Sequence, residues 1–231
     1  MSQEYFRETQ GSVISDNIPM ESLRRQRTRS RLLDAAFDVF AQQGISAASV
    51  ETICETAGFT RGAFYSNFST KEELFFELMR REKNSRIAQV KNGLQQYLEP
   101  LLDHDKEHPF SEDEVLGIIT RVQELQSSDR RWWLLQTEFL LLAMRDYDIA
   151  TTFLRDRAEF VDELTDVVVS ALASAGRRFT IADREAVNVM IQFCAADESD
   201  ALLARDDRSF SERISQRLGA LLLALTEHSA P

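Results

Sequence analysis

With 4 prolines and 8 glycines in 231 residues, the chain has few points at which a helix must break. Its 2 cysteines, Cys54 and Cys194, lie far apart. They form neither a disulfide framework nor a metal-binding spacing, and each sits among apolar neighbours as a small buried side chain would. The 3 histidines, His104, His108 and His228, fall in polar or terminal stretches. His104 and His108 could share a metal on one helical turn, but Pro109 and the surrounding charges mark a solvated loop. No metal and no cofactor is expected. No apolar run is long enough to span a bilayer. The first residues, with Glu4, Arg7, Glu8 and Asp16, lack the apolar centre of a secretion signal. A cytoplasmic protein without membrane contact is expected. No Ser/His/Asp or Cys/His set and no phosphate-binding loop appears, which argues against an enzyme.

Positive charge is also scarce in total: 27 basic residues face 38 acidic ones, for a net charge of −11. Its distribution matters more than the sum. From Ser22 to Lys71, seven basic and four acidic side chains leave +3, so the rest of the chain carries −14. Arg24, Arg25, Arg27, Arg29 and Arg31 fall within eight positions. A basic end on an acidic body offers a polyanion a single face.

What is abundant is helical periodicity. Residues 1–21 lack it and read as a flexible tail. From Leu23 to Gln43, apolar Leu32, Leu33, Ala36, Phe37, Phe40 and Ala41 recur at helical spacing, and Gly44 fits a left-handed cap. Ser49 can cap a short helix with Val50, Ile53, Cys54 and Ala57 inward. Gly58 makes a turn, Thr60 caps a third helix with Phe64 on its inner face, and Ser69 or Thr70 caps a long fourth. That helix is expected to stop at Pro100. Further helices are expected from Ser111 to Gln126, Arg130 to Asp146, Ile149 to Ala175, Ile181 to Leu203 and Phe210 to Glu227. The Arg130–Asp146 segment is apolar nearly all round and reads as central. No strand pattern competes, so an all-α fold of about nine helices is expected. Residues 22–71 read as a helix-turn-helix DNA-binding domain and residues 72–231 as a helical body.

The helix-turn-helix outline carries its own chemistry. A short helix entering the major groove reads base edges with its first residues. Arg61 follows the Thr60 cap and can bond guanine O6 and N7 together. Gly62 would let the backbone approach DNA closely, or is incidental. Ala63 lies beside them, and Tyr65 and Asn67 are expected on the outer face. Thr60 can bond a phosphate while capping, and Ser49 is either a cap alone or a second phosphate ligand. Lys71 opens a helix whose amides and dipole favour an anion. Arg24, Arg27 and Arg29 are expected to add salt-dependent affinity for the phosphate backbone.

Phe40-Ala41-x-x-Gly44, then Ile53-Cys54-x-x-Ala57-Gly58-Phe59-Thr60, then Phe64-Tyr65-x-x-Phe68-x-x-Lys71-x-x-Leu74, resemble the TetR-like family of transcriptional regulators. Cys54 stands where alanine is usual and Phe59 where a smaller aliphatic is common. The resemblance covers about residues 23–80, and the remainder matches only in helical layout. It implies a base-reading residue at Arg61, a backbone contact at Tyr65, and a body that dimerises and binds a small-molecule effector. The function it implies is repression at a palindromic operator in double-stranded DNA.

The body is compatible with this. Ile214, Leu218, Leu221, Leu222 and Leu225 form one apolar stripe, and Cys194, Ala195, Ala196 and Gly219 are small, as a homodimer face or an internal core would need. Trp132, Trp133, Gln136, Phe139, Leu140, Met144, Tyr147 and Phe153 could line an aromatic cavity or simply fill a core. Glu138, between apolar neighbours, would face a cationic ligand or pair with Arg131 or Arg145.

Overall fold

The computed structural model describes residues 20–104, 111–125, 130–204 and 210–229. They form nine helices and two three-residue strands. Helix α1 (Met20–Gln43) turns Leu32, Ala36, Phe37 and Phe40 inward, and Gly44 closes it at φ 76° by donating to the Phe40 carbonyl. Helices α2 (Val50–Ala57) and α3 (Arg61–Tyr65) are too short to persist alone. They are held at their ends and by burial. The Ser49 hydroxyl accepts from the Thr52 amide, and Thr60 accepts from the Ala63 amide. Gly58, at φ 71°, lets the Phe59 amide reach back to the Cys54 carbonyl.

Helix α4 (Lys71–His104) begins with a capping box: Thr70 accepts from the Glu73 amide, and the Glu73 carboxylate accepts from the Ser69 amide. Its first turns enter the head's core through Leu74, Phe75, Leu78 and Met79, and its later turns enter the body. The helix passes through Pro100, where the sequence suggested a stop. Helices α5 (Glu112–Leu125), α6 (Arg130–Arg145), α7 (Tyr147–Ser174), α8 (Asp183–Ala204) and α9 (Phe210–Leu225) complete the body.

Three expectations are corrected here. Met20 and Glu21, expected in a tail over 1–21, belong to α1; residues 1–19 and His108 lie outside the described residues. Helix α6 is not central all round: Trp132, Leu135, Phe139 and Ala143 are buried, while Leu141 is 41% and Met144 73% exposed. Strands also occur. β1 (Arg177–Phe179) pairs antiparallel with β2 (Thr226–His228), with Arg177 opposite His228. Three residues are too few for alternation to be read in sequence.

The head is not a separate packing unit. Phe40 meets Phe75 edge-on at 5.7 Å, and Phe75 meets Phe139 of α6 at 5.4 Å. Arg131 of α6 crosses to Asp38 of α1 at 2.5 Å, and Arg81 of α4 reaches Asp34 at 2.6 Å. Elsewhere, α9 approaches α5 closely at Gly219, where a Cβ would lie 2.1 Å from the Leu116 side chain. Gly219→Val is therefore expected to cost about 1–3 kcal/mol of stability. Adding Leu116→Ala should recover part of that loss, as a double-mutant cycle by denaturant unfolding would show. Additive losses would mean that the two helices do not meet there.

Candidate nucleic-acid interface and body cavity

Helix α3 presents Thr60, Arg61, Gly62 and Tyr65 as exposed residues, with Ala63 half-buried beneath them. The Arg61 guanidinium lies 2.8 Å from Glu51 of α2 and 6.0 Å from the Tyr65 ring centre. Both partners are exposed, so the pair is weak enough for a base edge to replace it. Gly62 has open space around it: a Cβ would find nothing nearer than the Thr60 hydroxyl at 3.8 Å. Arg24 and Arg27 are exposed on the first turns of α1.

Four expected DNA ligands are placed differently. Asn67 is 9% exposed and faces inward; its amide donates to the Ala63 carbonyl at 2.8 Å and so closes α3. Arg29 donates to the Asn67 carbonyl at 2.6 Å and stacks over Phe68 at 4.3 Å, bracing the end of α3 against α1. The Lys71 ammonium donates to the carbonyls of Ile45, Ser46 and Ala48, so it ties the loop after α1 to the start of α4. In this structure those three carbonyls surround the ammonium, so its role here is to brace the loop. The Ser49 hydroxyl is half-buried, accepts from the Thr52 amide and bonds the Thr52 hydroxyl at 2.9 Å, so capping accounts for it.

Helices α4 to α9 line a partly open cavity of about 520 Å³, within the range of small-molecule sites. Of the expected lining, Trp132, Trp133, Gln136, Phe139, Leu140 and Phe153 are there. Met144 and Tyr147 are not: they point to solvent, Tyr147 at 86% exposure. The inward stripe of α6 ends at Ala143, one residue before Met144, and Tyr147 follows the corner at Asp146. Glu138 is also away from the cavity lining, with its carboxylate 3.1 Å from the position a Gly44 Cβ would take.

The stripe expected to face a second copy is largely internal. Ile214, Leu218 and Leu222 are buried within the chain, and Leu218, Leu222, Cys194 and Ala195 line the cavity; Leu221 and Leu225 are half-buried. Burial pushes the Cys194 thiol up to about 12, with Glu198 and Asp197 adding to it, and burial also raises that of Cys54. Neither is a thiolate at neutral pH.

The cavity holds charged groups that were not singled out from the sequence. Glu198 lines it, and burial pushes its carboxyl up to about 7, opposed by Arg86. Arg86 stacks over Trp132 at 4.5 Å. Glu198 continues the inward positions Val187, Ile191 and Cys194 at helical spacing, so it was findable. Arg177, on a strand that could not be seen, was not.

A family model described as bacterial regulatory proteins, tetR family, matches residues 32–78. The HTH-type transcriptional repressor AcnR of Corynebacterium diphtheriae is 32% identical over 170 residues, which is 67% of this chain and 84% of that protein. The probable acrEF/envCD operon repressor of Escherichia coli K12 is 26% identical over 165 residues, 71% of each chain. In architecture, a TetR-family regulator from Mesorhizobium loti superposes with a TM-score of 0.66 at 18% identity, covering 87% of this chain and 96% of that one. The chain therefore belongs to the tetR family of bacterial regulatory proteins and is a helix-turn-helix transcriptional regulator.

Proposed function

We propose that the protein is a repressor that binds a palindromic operator as a homodimer and is released by a small molecule held in the body cavity. The observation that carries the DNA-facing part is Gly62. A glycine inside a helix costs about 1 kcal/mol relative to alanine, and nothing in the chain's packing requires it there. Close approach of an external backbone does. Arg61 beside it supplies a bidentate donor for guanine, and Thr60, Tyr65, Arg24 and Arg27 supply the surrounding phosphate contacts. The names of both repressors above support the sign of action.

In this reading residues 22–71 act as the reading head and 72–231 as the body, with α4 shared between them. The dimer face consists of what α8 and α9 leave outside the chain: Val189 and Ala196 on one, Ala220, Leu221 and Ala224 on the other. A two-fold axis then sets the heads on successive major grooves. The effector acts through Phe139 and Phe153, whose rings meet at 4.9 Å on the cavity wall. Phe139 also touches Phe75 and Phe76 of α4. Moving these rings re-seats α4 and so changes the head spacing, by as much as the effector's preference for one state allows.

Selection from a random DNA pool is expected to enrich a palindrome with half-site centres about 34–36 Å apart. No enrichment even at low salt would sink the reading. Arg61→Ala should lose about 1–3 kcal/mol at one operator position. Gly62→Ala should melt no lower than wild type yet bind the operator about tenfold more weakly; unchanged binding would remove the close-approach role. Phe139→Leu should leave operator affinity within a few-fold while reducing the effector's coupling by about 0.5–2 kcal/mol, read by titrating DNA with and without effector.

The Glu198 carboxyl holds its proton up to about pH 7, well above an ordinary carboxylate. Between about pH 4.5 and 7 the folded state therefore binds more protons than the unfolded one, and stability from this group falls as pH rises through that window. Glu198→Gln removes the slope. From pH 5 to pH 8 the variant should gain about 2 kcal/mol relative to wild type, measured by denaturant unfolding at each pH. Parallel curves would place the carboxylate in solvent.

A further inference from the structure

Among the described residues, Arg177 is a buried cation with no carboxylate partner. Its side chain is 7% exposed and lines the cavity. Nε donates to the Thr226 hydroxyl at 3.1 Å, Nη2 donates to the Thr226 carbonyl at 3.4 Å, and Nη1 lies 3.5 Å from the His228 ring nitrogen. None of these partners is a carboxylate. The strand sends the next residue outward, and Arg178 takes the neighbouring acid, Glu227, at 2.5 Å in solvent. A guanidinium has five N–H donors in a fork that matches a carboxylate. Burying that fork among neutral groups is costly, and an anion seated on it offsets the cost.

The rest of the cavity says what kind of anion. Phe179, two residues on, packs with Val187, Leu172 and Leu222, which places Arg177 at the end of the cavity far from the DNA head. The acid on α8 that lines the cavity, Glu198, lies about 16 Å further along that helix from Val187, and it faces Arg86. Between the two ends the wall is aliphatic: Val90, Leu94, Leu98, Val168 and Leu172. The cavity thus offers, among the described residues, a cation with no carboxylate partner at its far end, an apolar middle, and a mixed group of Arg80, Lys83, Arg86, Asp156, Arg157 and Glu198 toward the head.

We infer that the cavity takes a long-chain aliphatic carboxylate, with its head group on Arg177 and its chain lying along α4 and α7 toward Trp132 and Trp133. This rests on the effector reading of the cavity given above. The Thr226 hydroxyl and carbonyl hold the guanidinium in place before the ligand arrives, so binding need not order it.

Both tryptophans of the chain line the cavity, so intrinsic fluorescence reports occupancy directly. Full-length protein would be titrated, below micelle formation, with dodecanoate, dodecanol and dodecyltrimethylammonium, and operator release followed in parallel. Dodecanoate is expected to bind at least about tenfold more tightly than the other two, the difference a charge-assisted pair makes. Arg177→Gln should erase that preference while leaving dodecanol unchanged, and Arg177→Lys should keep part of it. Equal binding of all three, or preference for the ammonium, would overturn the carboxylate assignment and leave the effector cavity standing. No fluorescence change and no operator release with any of them would overturn both. Should Arg177→Gln fail to fold, the head-group comparison on the unaltered protein decides alone.

Discussion

The contact on which the rest of the molecule depends is the stack of phenylalanines from Phe40 through Phe75 to Phe139. Helices of eight and five residues cannot hold their own shape, so α2 and α3 take it from the surface they bury. That surface is supplied by α1, the first two turns of α4, and α6. The recognition helix is therefore positioned by residues that also form the roof of the body, and a packed aromatic core repacks between discrete arrangements rather than yielding smoothly. In the proposed mechanism such a core would convert a small displacement at the cavity into a rigid-body displacement of the head.

Electrostatics is arranged around the same seam. The basic residues near the recognition helix divide by job. Arg29 and Lys71 hold backbone carbonyls and so fix where α3 and α4 begin and end. Arg61 is left on the surface, against Glu51, with Arg24 and Arg27 exposed on the approach. On a chain of net charge −11, those few exposed cations matter more than their number suggests. They define one attractive face on an otherwise repulsive body, and the attraction falls steeply with salt.

How much could be read from the sequence follows from how local each signal is. Gly44, Ser49, Gly58 and Thr60 are end signals whose partners lie within a few residues, and all four stand where expected. Helical periodicity likewise gave the inward faces of α1 and α2. What failed were inferences about the far end of a side chain. Asn67 and Lys71 occupy positions where a phosphate ligand is plausible, but their tips reach carbonyls brought near by the fold, in the case of Ile45 from 26 residues away. Met144 was misplaced because composition cannot tell which side of α6 meets the cavity. Arg177 lay beyond reach because its meaning depends on Thr226, 49 residues on, and on a strand pair too short to leave a pattern.

The placement of Leu218 and Leu222 has a consequence for regulation. These residues line the cavity from one side of α9, while Ala220 and Ala224 sit on its opposite, exposed side. Successive residues are about 100° apart, so a single helix thickness, about 10 Å, separates the two. If a second copy packs on the small-residue side, cavity wall and dimer face are two sides of one element. Gly219 adds that α9 is seated directly against α5, with no side chain of its own to cushion a shift. A ligand that presses on Leu218 or Leu222 cannot be absorbed locally by α9. In the proposed dimer the displacement would pass outward into the dimer geometry or upward through α4 into the head. Both routes would alter the distance between that dimer's two α3 helices, which is how packing would couple effector occupancy to operator spacing.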